Sequence, residues 1–233
     1  MRGALILGLA LAPLGAAAQQ FTPPAGCTAY LTVQMASCTL SHHFTCAGDP
    51  EGHQRRVDMD EEGMTYFGQI DAETQWIESF HLRSDHSERL APNPADPASF
   101  SALIATGRDS YDFRTLSDRI GETRYVGEDR LTGESVTIDG VTLDETAYTI
   151  RALASDGTEL WRSEGTEYIS RDWRMFLSGR GTVSVPDNSF ETDDTPVEFL
   201  FPGDAGFLSV NPKHGCGVMM SALPLVLAKV RAR

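Results

Sequence analysis

Residues 110–153 read SYDFRTLSDRIGETRYVGEDRLTGESVTIDGVTLDETAYTIRAL, and the fold turns on this stretch. Ser110–Leu116 and Thr123–Leu131 carry the aromatic and β-branched residues that favour strands. Thr132-Gly133 reads as a turn and Ser135–Ile138 as a short strand. Asp139-Gly140 before Val141–Leu153 is the dipeptide of a two-residue hairpin, because both positions need a positive φ. Asp156-Gly157 repeats that signal ahead of Glu159–Ser170, and Trp173–Val185 extends the series.

Upstream, the turn signals Gly48–Gly52, Asp60–Gly63 and Asp71–Thr74 bracket the aromatic-rich runs Met64–Ile70 and Gln75–Leu82. Gln20–Gly26 is a Pro-containing lead-in without a period. Ala91–Pro97 holds three prolines and prepares a short helix at 97–106, with Asp96 as N-cap, Pro97 in the first turn and Gly107 closing the end. Phe100, Leu103 and Ile104 would form its apolar stripe. Downstream of Pro186 the chain reads as irregular and acidic, with a short strand at Val197–Phe201, a loop at Pro202–Gly206 and a last buried strand at Val218–Val230. No internal repeat or domain linker is present. The reading is a mainly β protein: a single antiparallel meander of about nine to eleven strands, forming a strongly curved sheet or open barrel, with one short helix. Gly121–Arg130 and Gly157–Gly165 carry too many charges for the lipid-facing strands of an outer-membrane barrel.

The chain has 233 residues, with 33 Asp and Glu against 19 Lys and Arg, a net charge of −14. Such acidity excludes a nucleic-acid partner and electrostatic docking on anionic lipid, since both need a basic face. Met1-Arg2, the apolar run Gly3–Leu14 and the small residues Ala16–Ala18 resemble a secretory signal peptide over residues 1–18. The expected mature chain, 19–233, is a single β-rich domain without a membrane span, periplasmic or secreted. Its first cysteine, Cys27, lies too far from the cleavage point for a lipoprotein.

Cys27, Cys38, Cys46 and Cys216 form an even set, which an oxidising compartment turns into two disulfides. Thr39–Thr45 carries no reversal signal. On one strand Cys38 and Cys46 would stand ~26 Å apart, far beyond the ~7 Å a disulfide tolerates between Cα atoms. That pairing is disfavoured, and Cys216 is left to bond either Cys38 or Cys46.

Metal-ligand types occur twice. Cys38, His42, His43 and Cys46 suit zinc or copper by type, but adjacent histidines on a strand face opposite ways and the thiols go to disulfides. Asp58, Asp60, Glu62 and Gly63 resemble the start of a calcium loop, yet Gln69 stands where the closing Glu belongs. Acid–base chemistry would need His81, His86 or His214 beside a carboxylate and a Ser or Thr. No hydrolase elbow, metalloprotease helix, phosphate loop or dinucleotide fingerprint occurs, no catalytic residue is assigned, and no cofactor is implied.

Trp76, Trp161 and Trp173, with Phe67, Tyr148, Tyr168 and Phe176, fill either a core or a pocket wall. A curved sheet capped by one helix encloses volume on its concave side. From about residue 110 to 185 this layout resembles the LolA/LolB-like open-barrel carriers of bacterial envelopes, a resemblance that implies a lipid or other apolar ligand. The four cysteines and the acidic surface depart from that class. The functional expectation is a non-catalytic binding module for an apolar small molecule, a lipid or an envelope protein. A metal-binding protein using His42 and His43, or the Asp58–Glu62 region, is the alternative, and an envelope hydrolase is the second.

Overall fold

Ten strands follow one another, each hydrogen-bonded to the next: β1 (Cys27–Met35), β2 (Thr39–Cys46), β3 (Gln54–Asp60), β4 (Gly63–Ile70), β5 (Trp76–His81), β6 (His86–Leu90), β7 (Arg108–Ser117), β8 (Gly121–Ile138), β9 (Val141–Ala154) and β10 (Glu159–Ser170). The computed structural model describes residues 20–217; the leader at 1–18 and the strand expected at Val218–Val230 lie outside the described residues. After β10 the chain reverses. β11 (Met175–Leu177) and β12 (Arg180–Val185) both pair with β10, β13 (Asn188–Asp193) pairs with β12, and β14 (Pro196–Leu200) crosses to pair with β1. The result is one antiparallel sheet of fourteen strands, curved but not closed into a barrel.

The expected meander is present, with more strands than the sequence announced. Trp173–Val185 is two strands, not one, because the chain crosses β10 closely at Gly179. A Cβ there would stand 2.3 Å from the Thr166 carbonyl oxygen. Thr132-Gly133 is a bulge inside β8, not a turn: Leu131 faces Thr146 and Ser135 faces Asp144, so β8 spends two extra residues there. Asp139-Gly140 is the expected tight turn, with φ of 46° and 80°. Asp156-Gly157 sits instead in a longer loop, closed by Ala154 N donating to Thr158 O at 2.8 Å.

Helix α1 spans Phe100–Thr106 and ends at left-handed Gly107, as expected. Its N-cap is Ser99, not Asp96. Asp96 precedes a proline and is held extended, exchanging two backbone hydrogen bonds with Asp112. Ser99 Oγ accepts from Ala102 N at 3.2 Å and donates to Glu73 Oε2 at 2.9 Å. Ser99→Ala is expected to cost about 1 kcal/mol in denaturant unfolding. Phe100 and Leu103 are buried against Ile169, Leu131 and Phe176, so α1 seals one end of the concave side.

On the convex side Leu40, Phe44, Val57 and Met59 are covered by Phe21, Phe207, Leu208 and Val210. Disulfides Cys27–Cys46 and Cys38–Cys216 pin these covering segments. The disfavoured Cys38–Cys46 pair is absent. Cys27 and Cys46 are directly opposed in the β1–β2 ladder, and Cys38 lies in the turn ahead of β2 with φ of 57°.

Candidate functional site

Strand alternation sends every second side chain inward. On β7 these are Asp109, Tyr111, Phe113 and Thr115; opposite them on β8 stand Asp129, Gly127, Tyr125 and Thr123. Of these, Tyr111, Phe113, Thr115, Tyr125 and Asp129 line a cavity of about 490 Å³ on the concave face, a volume suited to a small organic molecule.

One wall is aromatic. Trp76 meets Phe113 and Tyr125 edge-on at 5.4 and 5.1 Å, Phe113 stacks on Tyr125 at 5.2 Å, and Trp161 follows at 6.1 Å. Trp76 is 42% exposed, so this wall reaches solvent. Tyrosines crossing glycines keep the volume open. A Cβ on Gly68 would meet the Tyr66 hydroxyl at 2.3 Å, and one on Gly127 or Gly181 would meet the Tyr111 or Tyr148 hydroxyl at 2.5 Å. These rings lie along the sheet only where no neighbouring side chain stands.

The opposite part of the lining is ionisable. Arg56 pairs with Asp58 (Nε to Oδ1, 3.0 Å) and lies over the Tyr66 ring at 5.1 Å. Asp129 and Glu167 face the same cavity, and among the described residues neither carboxyl group forms a hydrogen bond or ion pair. Burial, with the nearby Glu167 charge adding to it, pushes Asp129 up to about 8. Burial pushes Glu167 up to about 7, against the pull of Arg56.

On the neighbouring wall His81 Nε2 stands 3.3 Å from Glu88 Oε2 and 3.3 Å from Ser79 Oγ. Both contacts use one ring nitrogen. In a nucleophile–histidine–acid relay the acid holds the other nitrogen, so this trio does not assemble the relay an envelope hydrolase would need. His214 lies away from the cavity, its Nε2 3.6 Å from Glu198 Oε2.

The metal candidates do not converge. His42 and His43 point to opposite faces. His42 stacks on Phe21 at 4.9 Å and shares a 2.9 Å hydrogen bond with Thr32, while His43 lines the cavity beside Ser41 at 3.0 Å. Desolvation lowers them to about 4 and about 3, so both are neutral at pH 7. Asp60 and Glu62 are joined by Arg83 at the β3–β4 hairpin, Asp58 is paired with Arg56, and Gln69 lies buried on β4, bonded to His53 at 3.0 Å. Of the aromatic candidates, Trp76, Trp161, Tyr148 and Phe176 line the cavity, whereas Phe67, Tyr168 and Trp173 pack in cores. Sequence reading missed Phe113, Tyr125, Asp129 and Glu167.

No known protein family, curated protein sequence or solved structure matches the chain.

Proposed function

We propose that this chain is a non-catalytic binding protein, exported to an oxidising compartment, that holds a small amphipathic molecule with a basic nitrogen on its concave face. The carrying observation is the pairing, in one cavity, of an aromatic wall with two carboxyl groups that form no hydrogen bond or ion pair among the described residues. A buried acid without a partner is costly, and a ligand donating N–H groups removes that cost. The wall of Trp76, Phe113, Tyr125 and Trp161 offers ring faces to an apolar body and, by cation–π attraction, to a cation. Relative to the apolar ligand expected from the sequence, Asp129 and Glu167 add a requirement for a polar head. Arg56 does not reverse the sign, because Asp58 already neutralises it. Two disulfides and the leader-like residues 1–18 support export. The use of a concave sheet face is what this reading shares with the LolA/LolB-like carriers.

A head-group series tests it. Dodecylamine, dodecanol and dodecanoate share one chain and differ in charge; each is titrated below its micelle concentration, with the fluorescence of Trp76 and Trp161 as readout. The amine is expected to bind at least ~10-fold tighter than the carboxylate, a difference of ~1.4 kcal/mol. Gly68→Val, which drives the Tyr66 ring into the cavity, is expected to weaken all three. Equal binding of the three, or preference for the carboxylate, would refute the reading.

A further inference from the structure

The β5–β6 hairpin gathers three metal-ligand side chains. Its loop, residues 82–85, sets His81 and His86 directly opposite each other. Glu88, two residues along β6, falls on the same face by the two-residue period of a strand. One ligand atom from each of the three lies within 4.8 Å of the other two. The imidazoles stack at 4.6 Å with 6° between their planes.

Hydrogen bonding fixes which atoms are available. Ser84 Oγ stands 2.7 Å from His86 Nδ1 and 3.4 Å from the His81 carbonyl oxygen, so Nδ1 is the ring nitrogen that the protein holds. That leaves Nε2 as the nitrogen open to a ligand, and a metal bound there selects the tautomer with the proton on Nδ1, donating to Ser84 Oγ. His86 is 2% exposed, and its Nε2 has no hydrogen-bond partner among the described residues. A buried polar atom left in this way marks a missing partner. On the third ligand, Glu88 Oε1 accepts from Thr115 Oγ1 at 2.8 Å and from Tyr125 OH at 3.3 Å, which turns Oε2 toward His81 Nε2. Such outer hydrogen bonds orient ligands in metal sites.

We propose that His81, His86 and Glu88 bind a divalent transition ion of the zinc type on the cavity wall. Two imidazole nitrogens and one carboxylate oxygen suit zinc, and leave a fourth position for solvent or ligand. His81 and Glu88 line the cavity, so that position opens into it. Bonds of ~2.0–2.2 Å place tetrahedral ligand atoms ~3.3 Å apart, a closure that side-chain rotation supplies. All four cysteines are held in disulfides, so no thiolate competes. This site is independent of the amine-binding reading, since neither Asp129 nor Glu167 belongs to it.

The test is calorimetric titration of Zn²⁺ into the chelator-stripped, tag-free full chain, with Co²⁺ absorption as a second readout. One ion per chain with a dissociation constant at or below about 10 µM is expected. His81→Ala and His86→Ala should each weaken it ~100-fold or more, because even outer-shell losses in metal sites reach ~10–100-fold. His53→Ala should leave it unchanged. His81 is the more exposed of the pair, so its variant keeps the test available should the buried His86→Ala chain fail to fold. Binding weaker than about 10 µM, or binding that persists in folded His81→Ala, overturns the site.

Discussion

Asp129→Asn is expected to stabilise the protein increasingly as pH rises, and to reduce the preference of the cavity for amines to what Glu167 alone supplies. In the unfolded chain this carboxyl group titrates near 3.8, and in the folded protein near 8. Between those values the folded state binds more protons than the unfolded state. Stability is therefore lost as pH climbs through the window, and the loss levels off above about 8. A displacement of about 4 units corresponds to an upper figure of ~5–6 kcal/mol. Relaxation around the ionised group and charge shared with Glu167 reduce the expected gain to about 2–3 kcal/mol at pH 9. In urea unfolding the variant should match the parent near pH 4 and exceed it at pH 9. A pH-independent gap would mean that Asp129 is not held protonated by burial. Ligand binding carries the same linkage with opposite consequence. An ammonium group favours the ionised carboxylate, so amine affinity in the parent should rise by up to about tenfold per pH unit below 8. In Asp129→Asn that slope should fall to whatever Glu167 alone supplies.

The difficulty of seeing this site in the sequence has a physical cause. β7 and β9 turn mainly aromatic and aliphatic residues to the cavity, among them Tyr111, Phe113, Tyr148 and Ile150, and their alternation is plain. Strands that turn charged residues to the same cavity, Arg56 on β3 and Glu167 on β10, place them where a core would hold valine, so the alternation fades. β3 (QRRVDMD) therefore gave no strand signal beyond the turns around it, and β13 read as an irregular acidic stretch. With 33 carboxylates in the chain, composition could not single out two. Position could have. Asp129 lies between Gly127 and Leu131 on the inward face of β8, and Glu167 between Gly165 and Ile169 on β10. An acid flanked at both i±2 positions by glycine or an aliphatic is an inward-facing acid once the strand is granted. The spacing of His81, His86 and Glu88 was visible too. Its meaning depended on a hairpin register that no Asn-Gly or Asp-Gly announced. Local chemistry carried the helix end at Gly107 and the exclusion of Cys38–Cys46, because each follows from backbone geometry over a few residues.

Removing the Cys38–Cys216 bridge is expected to be the most destabilising change of a single feature, at about 3–5 kcal/mol. The residues lie 178 apart, against 19 for Cys27–Cys46. Chain entropy alone gives ~5 kcal/mol for the long loop and ~3 kcal/mol for the short one. The long bridge also holds a strap in place. Residues 201–217 lay Phe207, Leu208 and Val210 on the convex core, and Gln34 clasps them by accepting from Lys213 N at 2.9 Å and donating to Asn211 O at 3.2 Å. Those contacts survive loss of the sulfur bond, which is why the expected cost falls short of a strap released outright. The short bridge joins residues that the β1–β2 ladder already opposes, so its loss changes the folded state little. Cys38→Ser with Cys216→Ser, compared with Cys27→Ser with Cys46→Ser, separates the two by denaturant midpoint. The first pair should unfold at lower denaturant and be cut first in the strap by limited proteolysis, since its opening exposes residues 201–217 without unfolding the sheet. Equal midpoints for the two pairs would place the stabilisation in local strand contacts, and not in tying the strap to the start of β2.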